Sequence, residues 1–360
     1  MKKNPEQYIR PGRPLRHTVE AIKRGKITIG FVGGSITEPA NGTRWSDKIA
    51  DWFVLNYPEV SVNVENAAKG ATGSLSAVFR IEEDINACGC DLVLVETAVN
   101  DGPDAWGACR EGILRKLLKD DRCDVIVTYT YSSGFYEDML AGRMPRSMID
   151  WEELVEHYDL PRVYMSRYAF DLMLGGYVRW EEWLPDGLHP GHAGSRLYAE
   201  PVTELIGCEL DCPRAAEPFA LPEPLHADCW EDAQALPFDS FKRVGAWRMV
   251  RERRIPSVRY IMFTTSMSSS LEFEFEGTGL VVHTMVNSWH AGYTLSVDGG
   301  EPVNMAKPLP EWGVNATDWV REDVPVKGLP FGKHRAVLKP VFCPGAKGAN
   351  FELCAVGVIR

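Results

Sequence analysis

The sequence predicts two domains: an α/β domain with a doubly wound parallel sheet of five strands, and an all-β sandwich after it. Three observations support this fold class. Apolar strand-like runs alternate with helical patterns as far as Gly207, prolines then accumulate, and beyond them apolar residues alternate with polar ones. A chain of 360 residues, at about 150 residues per domain, is long enough to bury two cores.

The α/β domain is predicted from five apolar runs that helical segments separate. The candidate strands are 27–33, 60–66, 91–98, 124–130 and 162–165. Between them, Trp45, Ile49 and Phe53 recur at the spacing of one helix face, as do Ile113 and Leu117 further along. This alternation is typical of βαβ units, in which helices cover both faces of a parallel sheet.

The sandwich is predicted from strict alternation. Three apolar residues and three glutamates follow one another along one strand: Leu271, Glu272, Phe273, Glu274, Phe275 and Glu276. Such a strand has one apolar face and one face of carboxylates, so it is half-buried. Further strands are expected at 280–286, 292–297, 333–341 and 351–358. A tight turn is expected at Asp298-Gly299-Gly300.

A proline-rich stretch marks the boundary, with Pro213, Pro218, Pro222 and Pro224 close together. The predicted division of the chain is an N-terminal arm (1–25), the α/β domain (26–210), a linker (211–230) and the β-sandwich (231–360).

Charge and the N-terminal residues exclude several classes of protein. With 39 basic and 50 acidic side chains the net charge is −11, and no long basic run is present, which argues against nucleic acid or an anionic membrane as the partner. No apolar run approaches the roughly 20 residues that span a bilayer. Because Met1 to Arg10 lacks an apolar stretch, no secretory signal is recognised and a cytoplasmic location is expected. A homo-oligomer remains open.

Nine cysteines, an odd number without a C-x-x-C pair, predict mostly buried, reduced thiols. Cys88 and Cys90 form the tightest pair and leave a redox loop as an alternative. We expect neither a metal nor an organic cofactor.

The first candidate site segment is the apolar strand that runs into Gly33, Gly34 and Ser35. In open α/β sheets ligands bind at the carboxyl ends of the strands, and glycines there allow a side chain to project from a sharp turn. Ser35 is therefore placed like a nucleophile. The alternative is a phosphate-binding turn, but neither G-x-G-x-x-G nor a following Gly-Lys-Ser/Thr is present.

The second candidate segment contains Asp186 and His189, just before a helical stretch over 193–206. A serine nucleophile needs a base, and an imidazole base needs a partner that holds its tautomer. Asp186 and His189 can fill both roles. A surface turn is the alternative, and His189 with His192 also suggests a metal site, although a third ligand is not evident.

Two small-residue loops follow the second and third predicted strands, at 66–74 and 96–101. The oxyanion of a tetrahedral acyl intermediate needs fixed donors, either backbone N–H groups or a side-chain amide such as that of Asn100. Taken alone, either loop is more readily explained as an ordinary turn.

Together these four segments resemble, in order and spacing, the SGNH or GDSL hydrolases over residues 26–207. The resemblance implies a flavodoxin-like sheet and a serine esterase. It implies that Ser35 is the nucleophile, His189 the base and Asp186 its orienting acid. It further implies an oxyanion hole formed by the N–H of Ser35, the N–H of Gly70 or Ala71, and the amide of Asn100.

Three positions depart from the family pattern. Gly34 stands where the family has an aspartate, Ala98 replaces a glycine, and the second block can be aligned with either Gly70 or Ala71 at the donor position. None of these departures removes a reacting group. A backbone N–H is available from glycine and alanine alike, provided that the dihedral angles are allowed.

The C-terminal sandwich resembles the jelly-roll domains attached to carbohydrate esterases of this superfamily. Four aromatic residues lie in or near its predicted loops, namely Trp289, Tyr293, Trp312 and Trp319. Such side chains either stack on sugar rings or pack at interfaces. Within the α/β domain, segment 134–160 with Trp151 is interpreted as a substrate wall or a solvent-facing helix pair.

The resulting hypothesis is a serine esterase that removes short acyl groups, acetyl above all, from a carbohydrate. One alternative is an acyltransferase or a lipid or thioester hydrolase with the same triad. Another is an inactive carbohydrate-binding protein. The carbohydrate depends on the resemblance of the sandwich, since function follows from a site rather than from a fold.

Overall fold

The computed structural model of the protein describes residues 4–39, 42–101, 106–215, 217, 219–255, 258–310 and 318–360. It divides into two compact units, Met1–Glu231 and Asp232–Arg360.

The first unit is a six-stranded sheet flanked by helices. Its strands are β1 (Ile9–Arg10), β2 (Lys26–Gly33), β3 (Ser61–Asn66), β4 (Leu92–Glu96), β5 (Asp124–Thr128) and β6 (Arg162–Val163). Its helices are α1 (Arg16–Arg24), α2 (Trp45–Asn56), α3 (Ser74–Ala77), α4 (Ile81–Asp84), α5 (Gly107–Leu118), α6 (Tyr136–Leu140), α7 (Arg146–His157), α8 (Met165–Leu174), α9 (Trp180–Trp183) and α10 (His192–Asp211). The strand order is β1-β6-β5-β4-β2-β3.

The predicted five-stranded parallel sheet is confirmed, because β6, β5, β4, β2 and β3 are parallel neighbours in that order. The sixth strand, β1, was not predicted. It pairs antiparallel with β6, with Ile9 opposite Val163. Two residues form too short a run to show any period, so this strand leaves no signal in the sequence.

The core of the first unit lies between the sheet and its helices. Strand β2 contributes Ile29 and Phe31, and helix α2 contributes Trp45, Ile49 and Phe53, all with 0% exposure. These α2 residues are the ones whose spacing predicted a helix face. Burying both sheet faces keeps β2 apolar at successive positions, as parallel strands require.

Residues 211–230, predicted as a linker, belong to the first unit. The N–H groups of Leu225 and His226 donate to the carboxylate of Glu111 on α5, at 2.6 and 2.8 Å. Arg115 of the same helix donates to the carbonyl oxygen of Pro222 at 2.5 Å. The proline-rich stretch is therefore a connection wrapped over α5.

In the second unit, all pairings between the described strands are antiparallel. Its strands are β7 (Gln234–Ala235), β8 (Lys242–Val244), β9 (Arg248–Arg251), β10 (Tyr260–Thr264), β11 (Ser270–Val286), β12 (Gly292–Val297), β13 (Val303–Asn304), β14 (Trp319–Val341) and β15 (Phe351–Ile359). The main path is β13-β12-β14-β11-β15-β10-β9, with β7 added beside β15 and β8 beside β11. This arrangement agrees with the predicted β-sandwich.

The alternating strand behaves as predicted. Leu271, Phe273 and Phe275 of β11 are buried, whereas Glu274 and Glu276 are exposed. Register shifts interrupt the long β11–β14 ladder after Gly277 and after Leu280, and such bulges bend a strand from one layer towards another. After β12, Asp298 and Gly299 adopt φ angles of 52° and 73°, as a tight hairpin turn requires.

The nine cysteines are free thiols, but fewer are buried than predicted. Cys90, Cys109, Cys123 and Cys343 are buried, whereas Cys88, Cys208 and Cys212 are exposed. Among the described residues, no helix combines the length and the apolar character that crossing a lipid bilayer would need.

Candidate active site

Ser35 lies in a tight loop at the carboxyl end of β2, which we call the nucleophile loop (residues 34–38). The N–H groups of Thr37 and Glu38 both donate to the carbonyl oxygen of Gly34, at 3.1 and 2.9 Å. A side chain at Gly33 would place its Cβ atom 2.7 Å from the carbonyl oxygen of Glu96, so β2 must end in glycine. The loop turns the Ser35 side chain out of the sheet, where it is partly exposed.

Asp186 and His189 lie in the loop between α9 and α10, which we call the base loop (residues 185–190). Oδ1 of Asp186 accepts the N–H groups of Leu188 and His189, at 2.9 and 2.7 Å. Gly187 completes the turn with a φ of 84°, which favours glycine. This local turn brings the carboxylate and the imidazole together, as their spacing predicts.

The base loop and the nucleophile loop meet through one hydrogen-bond chain. Nδ1 of His189 lies 2.8 Å from Oδ2 of Asp186, and Nε2 lies 2.8 Å from Oγ of Ser35. A carboxylate can only accept, so the ionised Asp186 places the imidazole proton on Nδ1. Nε2 is then free to accept the proton of Ser35. The structure therefore joins the three residues predicted as a triad.

The charge state of Asp186 supports this tautomer. Partial burial raises the pKa of its carboxyl, but hydrogen bonds from the His189 ring and from the N–H groups of His189 and Leu188 outweigh it and lower the pKa to about 2. Asp186 consequently stays ionised at neutral pH.

The second block forms a turn beside Ser35. The N–H of Thr72 donates to the carbonyl oxygen of Lys69 at 3.2 Å, so Gly70 and Ala71 occupy the centre of the turn. A side chain at Gly70 would place its Cβ atom 3.7 Å from Cβ of Ser35. Of the two residues that the sequence left open, Gly70 thus has its backbone close to Ser35. Ala71 is exposed and has a left-handed φ of 60°.

Asn100 approaches the nucleophile loop from the end of β4. A side chain at Gly34 would place its Cβ atom 2.0 Å from Oδ1 of Asn100 and 3.3 Å from the carbonyl oxygen of Thr72. The amide of Asn100 therefore lies against the backbone that immediately precedes Ser35. This contact gives a physical reason for glycine at position 34, where the resembled family has aspartate.

Asp101 is a structural residue of the site that sequence reasoning missed. Its buried carboxylate accepts the N–H and hydroxyl of Ser74 at 2.8 and 2.7 Å, and the hydroxyl of Thr97 at 2.7 Å. Nε of Arg110 and Nε1 of Trp151 lie 3.2 and 3.3 Å from the same oxygen. Asp101 thereby ties the second block to the third.

Trp151 was predicted as a candidate for substrate contact, and the structure places it elsewhere. Its side chain on α7 is only 1% exposed, and its indole N–H points to Asp101. A ring without accessible surface cannot stack on a sugar. Trp151 is therefore not a substrate contact; its indole N–H supports the carboxylate of Asp101 instead.

Glu38 and Arg44 are two further charged residues at the site for which the sequence gave no motif. A side chain at Gly70 would place its Cβ atom 2.9 Å from Oε2 of Glu38. Burial lowers the pKa of the Arg44 guanidinium, while the charges of Glu38 and Asp186 act to raise it. Opposite charges thus lie beside the triad.

The aromatic residues predicted for the sandwich have different environments. Trp289 is 54% exposed, and a side chain at Gly348 would place its Cβ atom 2.7 Å from Cε3 of the indole, so the ring packs over that glycine. Tyr293 lies in β12, the strand predicted at 292–297, and its ring is buried. Trp319 begins β14, and Trp312 lies outside the described residues.

Comparison with known proteins finds the fold in solved structures. No family model matches the sequence, and no curated protein matches it. Two crystal structures of a two-domain esterase active on acetylated mannans, one of them co-crystallized with mannopentaose, share 21% sequence identity with it. They align over 99% of this chain and 97% and 98% of their own, with TM-scores of 0.84 and 0.85.

At 21% sequence identity, this structural similarity establishes the fold alone. The chain has the fold of this two-domain esterase, with an α/β domain followed by an antiparallel β-sandwich. The fold that the sequence resemblance implied is therefore confirmed for both parts of the chain.

Proposed function

We propose that the protein is a serine carboxylic ester hydrolase that removes short acyl groups, in the first place acetyl, from a carbohydrate. One observation carries the esterase part: Oγ of Ser35, the imidazole of His189 and the carboxylate of Asp186 form a continuous chain with two 2.8 Å contacts. That arrangement is the one a hydroxyl nucleophile needs to lose its proton to a base.

In the proposed reaction, Oγ of Ser35 attacks the ester carbonyl while Nε2 of His189 takes the hydroxyl proton. The oxyanion is met by the N–H groups of Ser35 and Gly70 and by the amide of Asn100. His189 returns the proton to the departing alcohol, which leaves an acyl-serine. Water then attacks the acyl group with His189 again as the base, and Ser35 is regenerated.

The charged surroundings support a short acyl group. A long acyl chain needs an apolar trough, because burying charged groups beside it without compensation costs several kcal/mol. The carboxylate of Glu38 beside Gly70, with Arg44 in electrostatic reach, provides the opposite environment. An acetyl group is short enough to need no apolar trough.

The carbohydrate part rests on the two-domain neighbour, which is described as active on acetylated mannans. On this chain, Trp289 of the second unit presents an exposed indole that is backed by Gly348. An indole face of this kind can stack on a sugar ring. We therefore propose that Trp289 contacts the sugar.

The esterase proposal is tested by comparing the wild-type chain with Ser35→Ala in hydrolysis of p-nitrophenyl acetate. We expect the variant to lose roughly 10⁴-fold or more in kcat, as for other nucleophile deletions. Ser133→Ala, at an exposed serine that begins a short 3-10 helix, serves as the control and should keep full activity. Persistent turnover in Ser35→Ala would remove Ser35 from the mechanism, whereas sugar binding without any ester turnover would favour the binding-protein alternative.

The carbohydrate proposal is tested separately with acetylated manno-oligosaccharides and Trp289→Ala. We expect KM for the oligosaccharide to rise about threefold to tenfold, which corresponds to the loss of one stacking contact, while turnover of p-nitrophenyl acetate stays unchanged. Phe331→Ala, at another exposed aromatic residue of the second unit, is the matched control. Equal effects of the two variants would argue against a sugar contact at Trp289.

A further inference from the structure

Glu96, the last residue of β4, is a buried carboxylate for which the proposed reaction has no role. Its exposure is 0%. Oε2 accepts the hydroxyl of Thr37 at 2.8 Å, and Oε1 accepts the hydroxyl of Thr130 at 2.7 Å. The carboxylate also accepts the backbone N–H of Gly34. Two of these three donors belong to the nucleophile loop, on either side of Ser35.

The Thr37 end of the loop is held from several sides. Oγ1 of Thr37 accepts the indole N–H of Trp45 at 3.2 Å while it donates to Glu96. The carbonyl oxygen of Thr37 accepts hydrogen bonds from the side-chain amide N–H of Asn66 at 2.9 Å and from the hydroxyl of Ser46 at 3.2 Å. With Thr37 fixed in this way, the bond from Gly34 to Glu96 fixes the other end of the loop.

The protonation state of Glu96 decides how many of these bonds can exist together. The hydroxyls of Thr37 and Thr130 can turn round and accept, but the N–H of Gly34 can only donate. An ionised carboxylate accepts from all three donors at once. A carboxyl that has taken up a proton must present that proton to one of them, so at least one bond is lost or reversed.

We propose that Glu96 is a positioning residue for Ser35: its ionised carboxylate holds the nucleophile loop, and uptake of a proton loosens the loop and slows acylation. The inference rests on the proposed function. It assigns to Glu96 no contact with the substrate, because its influence passes through Gly34 and Thr37.

Electrostatics brings this protonation into the working range of the enzyme. Burial raises the pKa of Glu96, hydrogen bonds from Thr130 and Thr37 oppose the rise, and the charge of Asp101 adds to it, with a resulting pKa of about 7. Tyr198 on α10 also faces the group and is neutral, since burial raises its own pKa. Because the pKa is raised, Glu96 is ionised above about pH 7 and gains its proton as the pH falls through that value.

The proposed mechanism requires a particular protonation state of two side chains. His189 must be neutral to act as the base, and Glu96 must be ionised to hold the loop. Both conditions fail as the pH falls, so the acid limb of log kcat/KM against pH should be steeper than one. With a single essential group, the slope would be one.

The test compares wild type and Glu96→Gln with p-nitrophenyl acetate between about pH 5 and 9. Glutamine keeps the shape but, like the protonated acid, has a donor where an acceptor is needed. We expect the plateau of kcat/KM to fall about tenfold and the acid-limb slope to drop from a value above one to one. A wild-type slope of one, or a variant that keeps the wild-type plateau and slope, would overturn the proposal.

Two threonine variants separate positioning from a general structural role. Thr37→Val removes the bond on the nucleophile loop, and Thr130→Val removes a bond of the same kind on the far side of the carboxylate. We expect Thr37→Val to lower the plateau about as much as Glu96→Gln, and Thr130→Val to stay within threefold of wild type. Equal losses in the two variants would contradict the proposal.

Thermal unfolding at pH 8 supplies a readout that does not depend on turnover. A neutral amide avoids the cost of burying a charge, so Glu96→Gln should leave Tm unchanged or raise it. If activity and Tm fell together, Glu96 would be a structural residue only and the proposal would be wrong.

A fluorophosphonate separates failure of this proposal from failure of the proposed function. Oγ of Ser35 forms a bond to phosphorus, fluoride leaves and His189 takes the proton, so labelling followed by mass spectrometry needs no ester substrate. Absence of both labelling and turnover in the wild type would overturn the proposed function. Equal labelling rates in wild type and Glu96→Gln would overturn the positioning role alone.

Discussion

The two loops that meet at the triad are stabilised in different ways. The nucleophile loop is tied by buried, long-range contacts, such as that between Thr37 and the fully buried Glu96. The base loop is held by contacts within one turn, from the N–H groups of Leu188 and His189 to Asp186. The side chains of His189 and Asp186 are 30% and 57% exposed.

Because of this difference, substitutions in the two loops should affect activity and stability differently. A substitution in the base loop removes a reacting or orienting group but leaves almost no buried group without a partner, so the fold should tolerate it. A substitution beneath the nucleophile loop alters buried hydrogen bonds or charges, so its effect on stability depends on the groups that it leaves behind.

The largest expected effect is on the base loop. His189→Ala should lower kcat by about 10⁴-fold or more, because Ser35 then has no base. Its free energy of unfolding should stay within about 0.5 kcal/mol of wild type, since the side chain is partly exposed and its contacts are local. Steady-state kinetics and urea unfolding of the same samples check both statements. A drop in stability of several kcal/mol would contradict the proposed independence of the base loop.

The next effect concerns the contact between Gly34 and Asn100. A Cβ atom at position 34 would lie 2.0 Å from Oδ1 of Asn100, so the exposed amide must move away from its position. We expect Gly34→Ala to lower kcat by roughly 10²–10³-fold, the cost of a lost oxyanion donor. Gly134→Ala is the control, because nothing lies within 4 Å of a Cβ atom there.

A double-mutant cycle identifies the cause of that loss. Asn100→Ala alone should lower kcat by a similar 10²–10³-fold. If Gly34→Ala acts by displacing the amide, the double variant should be no worse than Asn100→Ala, whereas independent effects would multiply. Multiplied losses would therefore reject the displacement of Asn100 as the mechanism.

The third prediction concerns stability beneath the nucleophile side. Asp101→Asn puts a donor among the N–H and hydroxyl donors of Ser74 and Thr97 and weakens the buried pair with Arg110. We expect the free energy of unfolding to fall by about 3 kcal/mol. Asp186→Asn, the same substitution in the exposed base loop, should cost under about 1 kcal/mol. Similar losses in urea unfolding would remove the distinction between the two loops.

The residues that could be predicted from the sequence are those whose signal is local. The period of Trp45, Ile49 and Phe53 predicts α2, and the alternation after Leu271 predicts β11. Asp186 and His189 are three residues apart, so one turn joins them and their spacing suffices. Ser35 was recognised from the strand and glycines that precede it.

The missed residues act through distant parts of the chain. Glu96 is 59 residues from Thr37, and Asp101 is 27 residues from Ser74, so their hydrogen bonds cannot be inferred from spacing. Trp151 was misassigned for a related reason. Its segment is rich in charge, and only the tertiary structure shows that this one ring points inward to Asp101.

The smallest expected effect compares two left-handed residues, one in each region. Gly187 in the base loop has a φ of 84°, and Ala71 in the turn beside Ser35 has a φ of 60°. An L side chain in this region costs on the order of 1 kcal/mol, although replacing it by glycine returns some of that as unfolded-chain entropy. Ala71→Gly should therefore raise the free energy of unfolding by about 0.5 kcal/mol.

Gly187→Ala is the matched reverse change, because a Cβ atom there meets nothing within 4 Å and only the dihedral angle opposes it. We expect it to lower the free energy of unfolding by about 1 kcal/mol. If Ala71 stiffens the turn that presents the Gly70 N–H, Ala71→Gly should also lower kcat by about threefold despite its higher stability. A variant that is both more stable and fully active would show that the strain at Ala71 does not contribute to catalysis.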